Sequence, residues 1–392
     1  MNGQERIALT MQHREPDRVP VMCQLALGHY LLNTNFKPHE MWYSTDAFAE
    51  AAVALQRRYC FDGILINLPG RPPDYLKEAV SIEETEDGEV IRWRNGGFTE
   101  LPWDDNAHYY NTDGSGPRRV DFNSFDPDHM DDLDEYEGYL WNTYHIQSLP
   151  GKADRGLLQT VPEYFYRPFD VVKSMVGDEV SIHGEVFSPF THFMELLGYE
   201  AALMALVTDP GKAMATLERF SEAVIVWALA QVWRGVDAIL ISSAFAGAPL
   251  ISRRMYTRFV QPYEFKVTEA VKATGTPVYT HTCGSIGDRL DLMEGTGTLG
   301  IDTLDPPPLG NGDLETAKRD FGERLFFKGN MNSVSLLAYK TQEQVIAEAS
   351  EKIRFGKPGA GYILSTACSV APRVEPWKME LLTPLAKEIG GY

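Results

Sequence analysis

Eight short apolar runs, rich in β-branched residues and continuous rather than alternating, constrain this chain more than any other feature. They are Val19–Cys23, Asp62–Asn67, Ser181–Phe187, Asp237–Ser243, Pro277–Cys283, Leu299–Asp305, Leu325–Met331 and Tyr362–Cys368. A strand that is apolar on both faces has to be covered on both, and a parallel sheet flanked by helices does this. Most intervals between the runs carry apolar residues at helical spacing. Ala47–Tyr59 is one, with Thr45 and Asp46 as candidate caps. Tyr199–Arg234 reads as two helices broken near Asp209-Pro210-Gly211, and Arg253–Ala273, Lys340–Arg354 and Glu375–Ile389 are others. Strand–helix alternation of this kind predicts an α/β fold, a (β/α)8 TIM barrel formed by residues 1–392 as a single domain. A doubly wound open sheet is the alternative.

One interval does not fit. Leu68 to Val180 is far longer than a single crossover needs. Within it, Arg71–Pro150 holds 19 acidic and 6 basic residues, a net charge of −13. The stretch is also rich in aromatics (Trp93, Trp103, Tyr109, Tyr110, Tyr136, Tyr139, Trp141, Tyr144), and Asn95-Gly96-Gly97 marks a turn. We read it as an acidic insertion after the second strand, with a β-hairpin at Glu89–Leu101. It is either a solvated excursion or a lid or docking surface over the barrel mouth, because a loop after a strand's C-terminal end lies on the catalytic side of such barrels.

The whole chain carries 36 basic against 55 acidic residues, a formal net charge of −19. That disfavours nucleic acid and anionic membrane surfaces as partners. No apolar run approaches the roughly 18 residues a membrane span needs. The N-terminus lacks a signal peptide's apolar core, and the four cysteines, Cys23, Cys60, Cys283 and Cys368, are too few for a disulfide scaffold. A reducing cytoplasm is therefore the expected location. Gly295-Thr-Gly297 and Gly310-Asn-Gly312 read as turns; neither a phosphate-binding loop nor a dinucleotide fingerprint is present.

The sharpest chemical signal lies in Pro277-Val-Tyr-Thr-His281-Thr-Cys283-Gly284. His281 and Cys283 are two apart at a strand end, so their side chains share a face. Cys368 occupies the matching end of the last run. In a closed barrel these ends converge, and one imidazole with two thiolates suits Zn2+ while leaving a coordination place open. The competing reading is that the cysteines fill the core as small apolar residues. Cys23 ends the first run, and Cys60 reads as helix-end packing. Other polar residues end strands and so converge on the same place: Glu185, Asp302, Asp305 and Asn330 as candidate catalytic or orienting groups, and Asn67 and Ser242 as candidate cofactor contacts. His183 alternates with Glu185 on one side of its strand, and His192 follows at a helix start. A carboxylate such as Glu185 could complete a zinc shell or orient His281.

These residues resemble the uroporphyrinogen decarboxylase superfamily. Glu5-Arg6-Ile7 with Glu15-Pro16-Asp17-Arg18-Val19-Pro20 looks like its opening. Ser188-Pro189-Phe190-Thr191 resembles its third-strand loop, and Leu304–Asp305 and Phe327-Lys328-Gly329-Asn330-Met331 resemble its sixth and seventh strands. The resemblance implies a single barrel. The decarboxylase branch carries arginines after the first strand and an Asp ending the second. Here Val21-Met-Cys-Gln-Leu-Ala-Leu-Gly-His29 has no arginine, and the second run ends in Asn67. The other branch, similar to zinc-dependent corrinoid methyltransferases, is marked by His-x-Cys and a distant Cys, which His281, Cys283 and Cys368 match. Ala367 stands where glycine is common.

That branch implies Zn2+ and a corrinoid (cobalamin), with a thiolate made nucleophilic at neutral pH and a methyl group passing to or from the corrinoid. No corrinoid-binding Asp-x-His-x-x-Gly module is evident. The corrinoid is therefore expected on a separate partner protein, docking over the barrel mouth, with a small-molecule methyl donor or acceptor as the other reactant. A thiol, tetrahydrofolate, a methylamine or a methoxylated aromatic would each be compatible. Two alternatives remain: a decarboxylase-like lyase acting on a tetrapyrrole carboxylate, and a non-catalytic corrinoid- or tetrapyrrole-binding barrel.

Overall fold

The computed structural model describes residues 1–116, 119–128 and 163–392. The strands, in chain order, are β1 (Gly63–Ile66), β2 (Ala79–Glu84), β3 (Gly88–Trp93), β4 (Phe98–Pro102), β5 (His108–Tyr110), β6 (Ser181–Phe187), β7 (Ala238–Ser242), β8 (Val278–His281), β9 (Gly300–Thr303), β10 (Phe326–Met331) and β11 (Tyr362–Thr366). The chain is α/β. Seven of these strands form one parallel sheet in the order β1-β6-β7-β8-β9-β10-β11. A doubly wound sheet reverses its strand order partway. This order follows the chain throughout, so that alternative falls.

Seven of the eight expected strands are present. The eighth segment differs: among the described residues Val19–Cys23 forms no strand, only parallel bridges from Val21 to Leu364 and, just beyond it, from Leu25 to Val370. Pro20 helps explain why, since a residue without an N–H cannot sustain a ladder. Ionic contacts hold the segment instead. The buried Asp62 carboxylate accepts from Arg6 Nη1 at 2.6 Å, Arg18 Nη1 at 2.8 Å and the Val21 N–H at 2.7 Å. Asp62 N in turn donates to Val21 O at 2.8 Å, which sets this segment beside β1, while Leu364 N donates to Pro20 O at 2.9 Å on the β11 side.

Helices cover the sheet much as the apolar spacing requires. Tyr199–Thr208 and Pro210–Trp233 break at Asp209, whose side chain caps the second helix at Lys212 N. Ser44, not Thr45 or Asp46, caps the helix Thr45–Tyr59. Two expected helices are each divided, into Arg253–Phe259 and Gln261–Lys272 and into Pro376–Glu380 and Leu382–Ile389. Pro262 explains the first break, because proline at a helix start has no N–H to give. No single helix among the described residues is long and apolar enough to cross a membrane.

The expected hairpin at Glu89–Leu101 is the β3–β4 pair, and it belongs to a four-stranded antiparallel sheet, β2-β3-β4-β5. Aromatic packing joins this sheet to the helix Pro38–Tyr43: the Tyr43 ring stacks on Tyr75 at 5.2 Å and meets Trp93 edge-on at 5.4 Å. Residues 117–118 and 129–150 of the acidic stretch lie outside the described residues, and with them Tyr136, Tyr139, Trp141 and Tyr144.

One face of the parallel sheet sets up the site. Leu65, Leu240, Tyr279, Phe326 and Ile363 belong to one buried apolar cluster, together with Ile7 and Met11. Side chains on a strand alternate in direction, so the residue two further along shares the same face. Two steps on from those five stand Asn67, Ser242, His281, Lys328 and Ser365. The same face is thus apolar at one level and polar at the next, toward the C-terminal ends of the strands.

Candidate metal centre

His281 ends β8, Cys283 follows it, and Cys368 follows β11. One ligand atom from each of the three lies within 4.8 Å of the others, with His281 buried and both cysteines partly exposed. His281 Nε2 is 3.3 Å from Cys283 Sγ. The backbone holds both thiols in place. Gly284 adopts φ +78°, the left-handed region that favours glycine, and its N–H donates to Asp305 Oδ2 at 2.7 Å. On the other side Cys368 N donates to Ser333 Oγ at 3.0 Å, and Ala367 N to Met331 O at 2.8 Å.

Behind the imidazole lies a buried relay. His281 Nδ1 stands 3.0 Å from Asp302 Oδ2 and 2.8 Å from Thr303 Oγ1, and Lys328 Nζ donates to Asp302 Oδ1 at 2.9 Å. Asp302 and Lys328 face each other in the β9–β10 register. Burial pushes the Asp302 carboxyl up, but the Lys328 ammonium and His281 outweigh it and hold the pKa below the ordinary value. Burial works against a charged His281, yet Asp302 and the Cys368 sulfur raise its pKa to about 10. The Cys283 contact, with His281 behind it, draws the Cys368 thiol well below its usual range against the effect of burial. The same contact and burial push Cys283 well above it.

The donor set fits Zn2+. A tetrahedral ion with Zn–S of about 2.3 Å and Zn–N of about 2.0–2.1 Å holds its ligand atoms about 3.5–3.8 Å apart. The 3.3 Å contact between His281 Nε2 and Cys283 Sγ is close to that value, and no two of the three ligand atoms are more than 4.8 Å apart. With Nδ1 engaged by Asp302 and Thr303, Nε2 is the nitrogen left for a metal, and a carboxylate behind a ligating histidine is the usual way such a ring is oriented.

The other candidate residues divide. Glu185 on β6 is partly exposed and accepts from Ser242 Oγ at the end of β7. Burial raises its pKa to about 7, with Ser242 and His281 pulling the other way. Asn330, buried on β10, donates from Nδ2 to Leu304 O at 2.9 Å, and its Oδ1 has no partner among the described residues. The Asn67 Oδ1 is in the same condition. Asp305 Oδ2 accepts from Gly284 N, and its Oδ1 has no partner among the described residues; burial, with Cys368 nearby, raises its pKa to about 6.

Two other histidines lie outside the three-residue group. His183 lies between Tyr279 OH at 2.9 Å and Ser181 Oγ at 3.1 Å, and burial lowers its pKa to about 3. His192 stacks on Phe220 at 5.4 Å. Cys23 is buried outside the three-residue group, and Cys60 is exposed at a helix end. Lys328 and Thr303 are not among the candidate site residues of the sequence, although Lys328 lies in the seventh-strand motif. A lysine inside an otherwise apolar strand was the available signal for the first.

Comparison with known proteins places the chain in a family. The uroporphyrinogen decarboxylase (URO-D) family matches residues 147–389, more than half of the chain. The opening segment Glu15–Pro20 and β1 lie outside that match. A methylcobamide:CoM methyltransferase, MtbA of Methanosarcina acetivorans, is 27% identical over 258 residues, covering 66% of this chain and 68% of that protein. A uroporphyrinogen decarboxylase of Chlorobium luteolum is 30% identical over 220 residues, covering 53% and 59%. A solved methyltransferase from Methanosarcina mazei superposes with a TM-score of 0.72 at 18% identity, covering 99% of each chain, and so shares the fold. The chain belongs to the uroporphyrinogen decarboxylase family, with members of its methyltransferase branch among its relatives.

Proposed function

We propose that this protein is a zinc-dependent methyltransferase that moves a methyl group between a corrinoid, carried by a separate protein, and a small molecule. The observation that carries this reading is the His281–Cys283–Cys368 group, three soft donors within 4.8 Å of one another. The relationship to MtbA supports the corrinoid as reactant. In this reading the sheet closes as a (β/α)8 barrel, with the Val19–Cys23 segment filling the place between β11 and β1. The polar ends of the strands then line one mouth, and the four-stranded β2–β5 sheet borders it as a lid or docking surface.

His281, Cys283 and Cys368 would hold Zn2+, and Asp305 keeps a free carboxylate oxygen available for the remaining place. When bound, Zn2+ supplies a Lewis acid that makes a thiolate available at neutral pH. The chain's own groups do the rest. Asp302 and Thr303 fix the His281 ring so that Nε2 faces the sulfurs. Glu185, titrating near neutrality, takes the proton that an incoming nucleophile loses, or returns it in the reverse direction. Asn67, Ser242 and Asn330 provide hydrogen-bonding groups that orient the small reactant.

The decarboxylase relationship supports a second reading, a lyase on a tetrapyrrole carboxylate. It requires no soft metal site, and a clustered His/Cys/Cys group has no part in it. One assay separates the two. Anaerobic protein mixed with methylcobalamin and a small thiol should consume the methylcobalamin spectrum at a rate that His281→Ala abolishes. A rate no greater than that of buffer would sink the transferase reading.

A further inference from the structure

Arg71 follows β1 in the Leu68-Pro69-Gly70-Arg71 loop and is only 4% exposed. Its Nε and Nη2 atoms are buried and find no hydrogen-bond partner among the described residues. A buried guanidinium without a counter-charge is costly, and such groups are retained where something compensates. Burial, opposed by the nearby Tyr43 and Tyr164 hydroxyls, draws its pKa down to about 10, so it is still a cation at neutral pH.

The surroundings of Arg71 are fixed. Gly70 N donates to Phe165 O at 2.9 Å, and a Cβ at Gly70 would come within 1.8 Å of Tyr164 O, so only glycine lets the loop pass this close. Tyr43 is held by its stack on Tyr75 and its edge contact with Trp93. The unpaired atoms are also chemically specific. Nε and Nη2 form one edge of the guanidinium plane, the pair of N–H donors that forks onto two oxygens of a single oxyanion. Because the sheet is parallel throughout, the loop after β1 leaves the same end of the sheet as Cys283 after β8 and Cys368 after β11.

We propose that Arg71 binds the oxyanion head group (a carboxylate, sulfonate or phosphate) of the small-molecule methyl donor or acceptor. The inference rests on the methyl-transfer reading for the identity of that molecule, and on the unpaired Arg71 edge for the head group. It narrows the range of reactants: methylamines, which are cations at neutral pH, and neutral methoxylated aromatics fit poorly, and acids and anionic thiols fit well.

The test compares the wild-type protein with Arg71→Met at low ionic strength. Benzoate, ethanesulfonate and inorganic phosphate serve as probes, followed by thermal unfolding and titration calorimetry. Without a probe, Arg71→Met should unfold at or above the wild-type temperature, because an uncompensated buried charge has been removed. At least one probe should bind the wild type saturably and raise its unfolding temperature, and bind Arg71→Met at least about tenfold more weakly. In transfer from methylcobalamin, Arg71→Met should lose kcat/KM toward 3-mercaptopropionate while keeping that toward neutral 2-mercaptoethanol.

Three results would overturn the proposal. One is wild-type protein that binds none of the three probes, which can be read even if the variant does not fold. Another is equal probe binding in both proteins. The third is a variant that loses several degrees with no probe present, which would mean that Arg71 is paired within the chain. If a probe binds through Arg71 but neither thiol is methylated, the anion site stands and the methyl-transfer reading falls.

Discussion

Cys368→Ser protein, purified beside the wild type, is expected to lose nearly all of its zinc and nearly all transfer from methylcobalamin while keeping its fold. Cys368 closes a three-donor group with His281 and Cys283. A hydroxyl is a far poorer ligand for Zn2+ than a thiolate, and two remaining donors cannot hold the ion in competition with water and buffer. Loss of a partner behind a ligand already costs about 10–100-fold in affinity or activity, so loss of the ligand itself should exceed the upper figure. Far-ultraviolet circular dichroism should be unchanged, because Cys368 lies past the end of β11 and its backbone contacts to Ser333 do not involve the sulfur. Elemental analysis and a single-turnover assay read both effects. Cys23→Ser serves as control and should keep its zinc. A Cys368→Ser protein with full zinc and full rate would remove the metal group from the mechanism.

Asp302→Ala should have the largest effect on stability and a clear effect on the metal. Asp302 is buried and neutralises Lys328, itself 1% exposed, while bracing His281 from behind. Removing one member of a buried ion pair leaves the other charge without compensation, a loss of about 3–5 kcal/mol. Its carboxylate also fixes the ring orientation of His281, so zinc affinity should fall about 10–100-fold. Asp302→Asn keeps the shape and an acceptor oxygen and should recover part of the stability but less of the affinity. Urea unfolding and a competitive zinc titration measure the two losses separately. An unfolding midpoint equal to wild type would mean that Lys328 has found another partner, contradicting the geometry.

Much of this was legible in the sequence because it rests on periodicity. Continuous apolar runs marked seven parallel strands, since a strand buried on both faces has no polar alternate. The two-residue spacing of His281 and Cys283 placed them on one face, and the position of Cys368 at a later strand end brought it to the same level. What was not legible depends on contacts between distant segments. Val19–Cys23 has the composition of a strand, but Pro20 and the Arg6–Arg18–Asp62 ion network decide its form. The sequence marks Asp302 as a strand-end carboxylate; only the β9–β10 register reveals that Lys328 opposes it. His183 and His192 also lie near the end of a predicted strand, but neither has a cysteine two residues on as His281 does. Their buried aromatic surroundings, invisible in one dimension, set them apart from the three-residue group.

The most direct test is zinc K-edge X-ray absorption on freshly purified protein. The account predicts about one zinc per chain, with two sulfurs at about 2.3 Å and a nitrogen at about 2.0–2.1 Å, completed by a light atom that an incoming thiol replaces with a third sulfur. A shell made only of nitrogen and oxygen, or a protein that neither retains nor takes up zinc, would contradict it.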